Sequence, residues 1–166
     1  MKTIKIDGAR MLLKSAYFPR KFNNYAPHKY TAIIGLGGNI GNTSMIFDRF
    51  LNLILKDRRF AIVQSSPMLV NKAFGYASRD YINAVIILKT SLYAKEILRI
   101  MQRFERRFKR KREFKNSPRT LDLDILYFSA KSYNNEELIL PHPGANSRPS
   151  VFIPLGLRKG IGWQQF

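Results

Sequence analysis

The chain has 166 residues, enough for one domain with its own core, and its 45% hydrophobic and 13% aromatic content sets it apart from disordered sequences. It has no cysteine and only two histidines, His28 and His142, which excludes disulfides, zinc–thiolate sites, thiol nucleophiles and any multi-histidine metal site within one chain. Against this ordinary composition stands a formal net charge of +18 and a pI near 10.5, the usual footprint of nucleic-acid binding.

Much of the excess charge is local: residues 1–29 hold seven Lys/Arg against Asp7, and residues 103–119 hold nine against two Glu. Residues 1–29 read as a basic N-terminal extension, because Phe18-Pro19-Arg20-Lys21 and Ala26-Pro27-His28 interrupt any regular pattern. Its short apolar pieces, Ile4 with Ile6 and Met11-Leu12-Leu13, are candidates for docking on the main body. Residues 30–166 read as a single domain. No apolar run reaches the ~20 residues of a membrane span, and no signal-peptide core opens the chain, so a cytoplasmic protein is expected; a monomer is expected as well.

Tyr30 to Leu36 has a buried-strand pattern, followed by the turn-rich Gly37-Gly38-Asn39-Ile40-Gly41-Asn42. A helix is predicted over 44–56, where Ile46, Phe47, Phe50, Leu51, Ile54 and Leu55 form one stripe. Residues 60–65 read as a second strand and 67–78 as a long loop carrying Phe74-Gly75. The third strand, 81–88, puts Tyr81, Asn83, Val85 and Ile87 on one face. A second helix over 94–108 has Ile97, Met101, Phe104 and Phe108 at helical spacing. The basic loop 109–117 leads to a fourth strand, then a hairpin and the Pro141-His142-Pro143 loop. Strand–helix–strand–strand–helix–strand is the order of a ferredoxin-like α+β domain: an antiparallel sheet with helices packed on it, here with additional C-terminal strands.

The most informative stretch is Pro118-Arg119-Thr120-Leu121-Asp122-Leu123-Asp124-Ile125-Leu126. Side chains alternate across a strand, so Asp122 and Asp124 share one face, about 7 Å apart at Cα, above an apolar underside of Leu121, Leu123 and Ile125. A half-solvated strand has the same pattern. The neighbours argue for more: Arg119 and a cationic segment precede the pair, which suits a Mg²⁺–phosphate site in which Mg²⁺ takes one or two carboxylates and the remaining positions go to water and phosphate.

Gly37-Gly38-Asn39, Tyr81-Ile82-Asn83-Ala84, Gln102 with Glu105, Pro118-Arg119-Thr120-Leu121-Asp122-Leu123-Asp124, Pro141-His142-Pro143 and Arg148 occur in one order at compatible spacings. Over roughly residues 30–157 this resembles the 6-hydroxymethyl-7,8-dihydropterin pyrophosphokinases of folate biosynthesis, which transfer pyrophosphate from ATP to a pterin alcohol. The resemblance implies that Asp122 and Asp124 bind two Mg²⁺ ions and that Arg110 and Arg119 clamp phosphates as catalytic groups. It places Gln102, Glu105, Arg112, His142 and Arg148 at ATP, and Asn71, Phe74, Tyr81 and Asn83 at the pterin. The basic loop is expected to close over ATP and exclude water. The pterin side departs from the family pattern. Asn71-Lys72 stands where the family has Thr-Pro, Asn116 where it has an aromatic, Ser150 where it has Phe and Ser117 where it usually has Gly; Phe74 is the candidate for the ring stacking.

Two rival functions fit parts of the pattern. A nucleic-acid-binding protein would account for the net charge but gives no reason for Asp122 and Asp124. A metal-dependent nucleotidyltransferase also carries an Asp-x-Asp strand after a Gly-containing loop, but leaves Pro141-His142-Pro143 and Arg148 unexplained.

Overall fold

The computed structural model describes residues 9–23, 26–71, 79–109, 119–129, 131–148 and 150–151. In chain order these form β1 (Ala9–Leu13), β2 (Arg20–Lys21), β3 (Tyr30–Gly38), α1 (Thr43–Leu55), β4 (Phe60–Ser65) and β5 (Met68–Asn71). They continue with β6 (Tyr81–Thr90), α2 (Ala94–Arg107), β7 (Asp122–Phe128), and the short pair β8 (Tyr133–Asn134) and β9 (Ile139–Leu140). All strand pairings are antiparallel.

β3 lies at the centre, flanked by β6 and β7. β6 is long enough to take two partners on its far side, β5 along Tyr81–Asn83 and β4 along Ile86–Thr90. The order β7-β3-β6-β4, with α1 after β3 and α2 after β6, is the expected ferredoxin-like α+β arrangement. The β8–β9 pair is the additional C-terminal hairpin.

Local chemistry accounts for both helices. At α1 the Asn42 Oδ1 accepts the Met45 N–H at 3.1 Å, satisfying one of the free amides of the first turn. Phe47, Phe50, Leu51 and Ile54 then bury one stripe. At α2 the Glu96 carboxylate reaches back to the Tyr93 N–H at 2.8 Å, and Arg106 and Arg107 sit at the negative end of the dipole. Both helices cover the same face of the sheet, where Ala32, Ile34, Leu36, Ala84, Ile86, Leu88, Leu123 and Ile125 join the main core.

The opposite face is covered over only part of its length. There Ile33, Val85, Ile87 and Leu126 pack under Ala145 and Val151 of the C-terminal loop. Beyond this second cluster, toward Gly37, the face carries polar side chains, and the candidate site begins there.

Two regions differ from the expectation. The loop predicted at 67–78 contains β5, because Met68 and Leu69 are buried and Leu69 to Asn71 pair with Asn83 to Tyr81. Residues 9–23 read as an extension from which Met11-Leu12-Leu13 docks on the body, and that docking is found, but the segment goes further and is part of the sheet and core. β1 pairs with β5, β2 pairs with β4, and Phe18 lies in the main core against Phe47, with ring centroids 6.0 Å apart. No helix among the described residues is long and apolar enough to cross a membrane.

Candidate active site

The alternation of β7 sends Leu121, Leu123 and Ile125 into the core and leaves Asp122 and Asp124 half-buried on the helix-free face. Register then determines what stands beside each acid. Asn83, Gly37 and Asp122 form one row across β6, β3 and β7, and Val85, Gly35 and Asp124 form the next. The central strand contributes only glycine to both rows. A Cβ at Gly37 would lie 3.2 Å from Asn83 Oδ1 and 3.8 Å from Asp122 Cβ, so its absence leaves a slot between the amide and the acid. Tyr81 shares the face with Asn83, and Asn71 is paired with Tyr81 at the end of β5. The structure therefore brings Asn71, Tyr81, Asn83, Asp122 and Asp124 onto one face of the sheet, Asn71 buried and the others half-buried, with pterin candidates at one side and acids at the other.

Arg119 donates to Asp122 in a close ion pair, with only 18% and 14% of the two side chains exposed. Burial opposes its charge, but the charge of Asp122, the hydrogen bond to it and the charges of Tyr81 and Asp124 outweigh that, so the guanidinium pKa is raised. Its backbone is fastened on two sides. Asn39 Oδ1 accepts the Arg119 N–H at 2.9 Å, and the Asn39 N–H donates to the Arg119 carbonyl at 2.9 Å. The next residue, Thr120, donates its hydroxyl to the Phe108 carbonyl at 2.6 Å, just past the end of α2.

Gly38 makes this close packing possible, since a Cβ there would lie 2.7 Å from the Thr120 carbonyl oxygen and 3.0 Å from Thr43 Cγ2. Backbone cannot give way cheaply, so Gly38→Ala is expected to destabilise the fold by about 1–3 kcal/mol. It should also slow turnover by displacing Arg119. Thermal unfolding and steady-state rates on the same preparation check both effects.

The C-terminal loop meets β7 further along, where the His142 N–H donates to the Leu126 carbonyl at 2.9 Å. His142 Nδ1 accepts the Gly144 N–H at 3.0 Å. With Nδ1 occupied as an acceptor, the neutral ring carries its proton on Nε2 and offers a donor there. Arg148 is exposed, with its side chain lying over Gly144.

Gln102 and Glu105, expected side by side at ATP, have different environments. Gln102 is exposed, whereas Glu105 is 5% exposed and its Oε1 accepts the Leu123 N–H at 2.8 Å, on the outer edge of β7 between the two acids. Glu105 falls on the stripe of Ile97 and Met101 at i+8 and i+4, so a charge on that buried stripe was a readable sign of an internal partner. Arg110, Arg112 and Phe74 lie outside the described residues, as do residues 72–78 and 110–118, which include all of the expected basic loop after Lys109.

Among the described residues no cluster of three or more His, Cys, Asp or Glu forms. The donor set is two carboxylates on an open face, all oxygen, which fits Mg²⁺ and gives soft metals no ligand.

The family model for 7,8-dihydro-6-hydroxymethylpterin-pyrophosphokinase matches residues 33–157. The chain belongs to this family. It is 45% identical over 155 residues to the 2-amino-4-hydroxy-6-hydroxymethyldihydropteridine pyrophosphokinase of Campylobacter jejuni, covering 93% of this chain and 99% of the relative. The enzyme of that name from Helicobacter pylori is 37% identical over 153 residues, covering 90% and 94%. The one from Bacillus subtilis is 34% identical over 125 residues, 75% of each chain. The matched span contains the glycine slot, both acids, Arg119 and the His142 loop. The two longer alignments, at 90% or more of the chain, also take in part of the segment that precedes β3.

Proposed function

We propose that the chain transfers the pyrophosphoryl group of ATP to the hydroxymethyl group of 6-hydroxymethyl-7,8-dihydropterin and releases AMP. The observation that carries the reading is the pair of rows across β6, β3 and β7, with Asn83 and Asp122 separated by Gly37 and Arg119 held on Asp122. The pterin oxygen attacks the β-phosphorus, a P–O bond forms, and the bond from the β-phosphorus to the bridging α–β oxygen breaks. That oxygen leaves with AMP and the hydroxyl proton goes to solvent. Such a reaction needs alignment and charge compensation more than covalent chemistry.

The residues divide accordingly. Asp122 and Asp124 hold Mg²⁺, which supplies charge neutralisation at the triphosphate and polarises the oxygens it meets. The charge count argues for two ions: ATP at about −4 with two carboxylates still leaves about −2 after two Mg²⁺, for arginine to offset. Arg119, fixed at its backbone and against Asp122, and Arg110 stabilise the phosphate charge that develops as the β–α bond breaks. Gln102, Arg112, Arg148 and the Nε2–H of His142 serve ATP, and Glu105 serves the site through β7. Asn83 pairs donor-to-acceptor with the pterin edge, with Asn71, Tyr81 and Phe74 completing that side. The enzyme works as a cytoplasmic monomer, in which residues 9–23 of the basic N-terminal segment complete the fold of the pyrophosphokinase domain.

Incubation of the protein with Mg-ATP, with and without hydroxymethyldihydropterin, tests the reading. Pterin-dependent AMP is expected, with no free pyrophosphate. Release of free pyrophosphate would point to nucleotidyl transfer, and absence of AMP from a folded, ATP-binding protein would overturn the assignment.

A further inference from the structure

Gly37-Gly38-Asn39 closes β3, and of the three only Asn39 has a side chain. It is 4% exposed, a polar group buried at the end of the sheet. A buried amide is costly unless its oxygen and nitrogen both find partners. Here the two ends meet different halves of the site. Oδ1 accepts from the Arg119 N–H at 2.9 Å, on the phosphate side, and Nδ2 donates to the Arg79 carbonyl at 3.4 Å, two residues before Tyr81 on the pterin side. The two neighbours fix the orientation of the amide, because a backbone N–H needs an acceptor and a carbonyl needs a donor. The main chain adds to the grip: the Asn39 N–H at 2.9 Å and the Ile40 N–H at 3.3 Å both point to the Arg119 carbonyl.

We infer that Asn39 is a positioning residue for the transfer, setting Arg119 through Oδ1 and the entry to the pterin strand through Nδ2. This deepens the pyrophosphokinase reading and rests on it for its kinetic arm. Arg119 lies three residues before Asp122 and Arg79 two before Tyr81, so the hydrogen bonds around Asn39 tie the approaches to β7 and β6 to the end of β3. A displacement of about 1 Å of a charged group at a reacting centre is enough to cost about a hundredfold in rate.

A double-mutant cycle tests the inference. Asn39→Ala should lower kcat about a hundredfold at a temperature well below its melting point, as a misplaced Arg119 would. In an Arg119→Ala background the same substitution should lower kcat by less than about threefold further, since the group it positions is gone. Asn39→Asp keeps an acceptor for the Arg119 N–H but loses the donor to Arg79, so KM for the pterin should rise while kcat stays within about threefold of wild type. Asn39→Asp also carries the test if Asn39→Ala does not fold. Full additivity in the cycle, or an Asn39→Asp enzyme with kcat as low as that of Arg119→Ala and an unchanged pterin KM, would overturn the inference. Hydrogen exchange at the Arg119 amide separates this failure from failure of the assigned reaction. Exchange should quicken in Asn39→Ala and stay slow in Asn39→Asp whatever substrate the protein uses, and unchanged protection in Asn39→Ala would reject the contact itself.

Discussion

Alanine at Asp122 or Asp124 is expected to lower pterin-dependent AMP formation by about 10³-fold, the upper end of what removing one preorganised charge-stabilising group costs. The size follows from placement. Both acids stand on the open face, one strand away from a glycine-only surface, and their backbones are held by pairing to β3 and by the Glu105 contact at Leu123. Little else among the described residues could gather a divalent cation, since no third acidic or histidine side chain clusters with them. Asp122 has a second duty as the partner of Arg119, and both side chains are largely buried. Asp122→Ala should therefore also lose about 1–3 kcal/mol of stability, the cost of leaving a buried donor unsatisfied. Asp122→Asn separates the two duties: it keeps an acceptor for the guanidinium and so most of the stability, but it loses the charge and so the rate. Wild-type rates in Asp122→Asn, measured across a Mg²⁺ titration, would remove this pair from the chemistry.

How far the sequence revealed the molecule depended on whether each feature was local. Strands β3, β4, β6 and β7 and both helices follow from periodicity alone, because each buries a face that its own sequence pattern defines. The acid pair was legible for the same reason: alternation assigns Asp122 and Asp124 to one side whatever the strand pairs with. β1 and β5 were not legible. Strands of four or five residues depend on partners elsewhere in the chain, as β1 does on β5 and β5 on β1 and β6, and Pro67 and Gly75 make the segment around β5 read as punctuation. The glycine slot needed register as well as pattern, since nothing in the sequence says that Gly37 lies between Asn83 and Asp122. Glu105 gave a local signal, a carboxylate on an apolar stripe, but its partner at Leu123 is a backbone group with no side-chain signature. Asn39 read as part of a turn-rich loop, whereas β3 runs through Gly38 and Asn39 directly follows it; its two distant partners are set by tertiary packing.

The segment before β3 yields the second large effect. Phe18→Ala is expected to destabilise the protein by about 3–5 kcal/mol, the range for truncating a fully buried aromatic, and to lower the melting temperature on the order of 10 °C for a chain of this size. Phe18 is 0% exposed and packs on Phe47 of α1, in the core shared with β3, β4 and β6. Polar contacts lock the same segment: Ser15 Oγ donates to Asp48 at 2.7 Å, the Arg20 N–H donates to Ser65 Oγ at 2.9 Å, and the Phe22 N–H donates to the Val63 carbonyl at 3.0 Å. A cavity at Phe18 would loosen contacts to α1 and β4 together, and collapse is restrained because both are pinned by their own pairings. The active-site face lies on the other side of the sheet, so kcat measured well below the melting temperature should stay within about threefold of wild type. Thermal unfolding with a parallel AMP assay separates the outcomes. A melting temperature unchanged within about 2 °C would mean that residues 9–23 contribute far less than their burial implies. A lost rate at full stability would mean instead that the segment acts on β5 and the pterin side through the β1 pairing of Ala9 with Asn71.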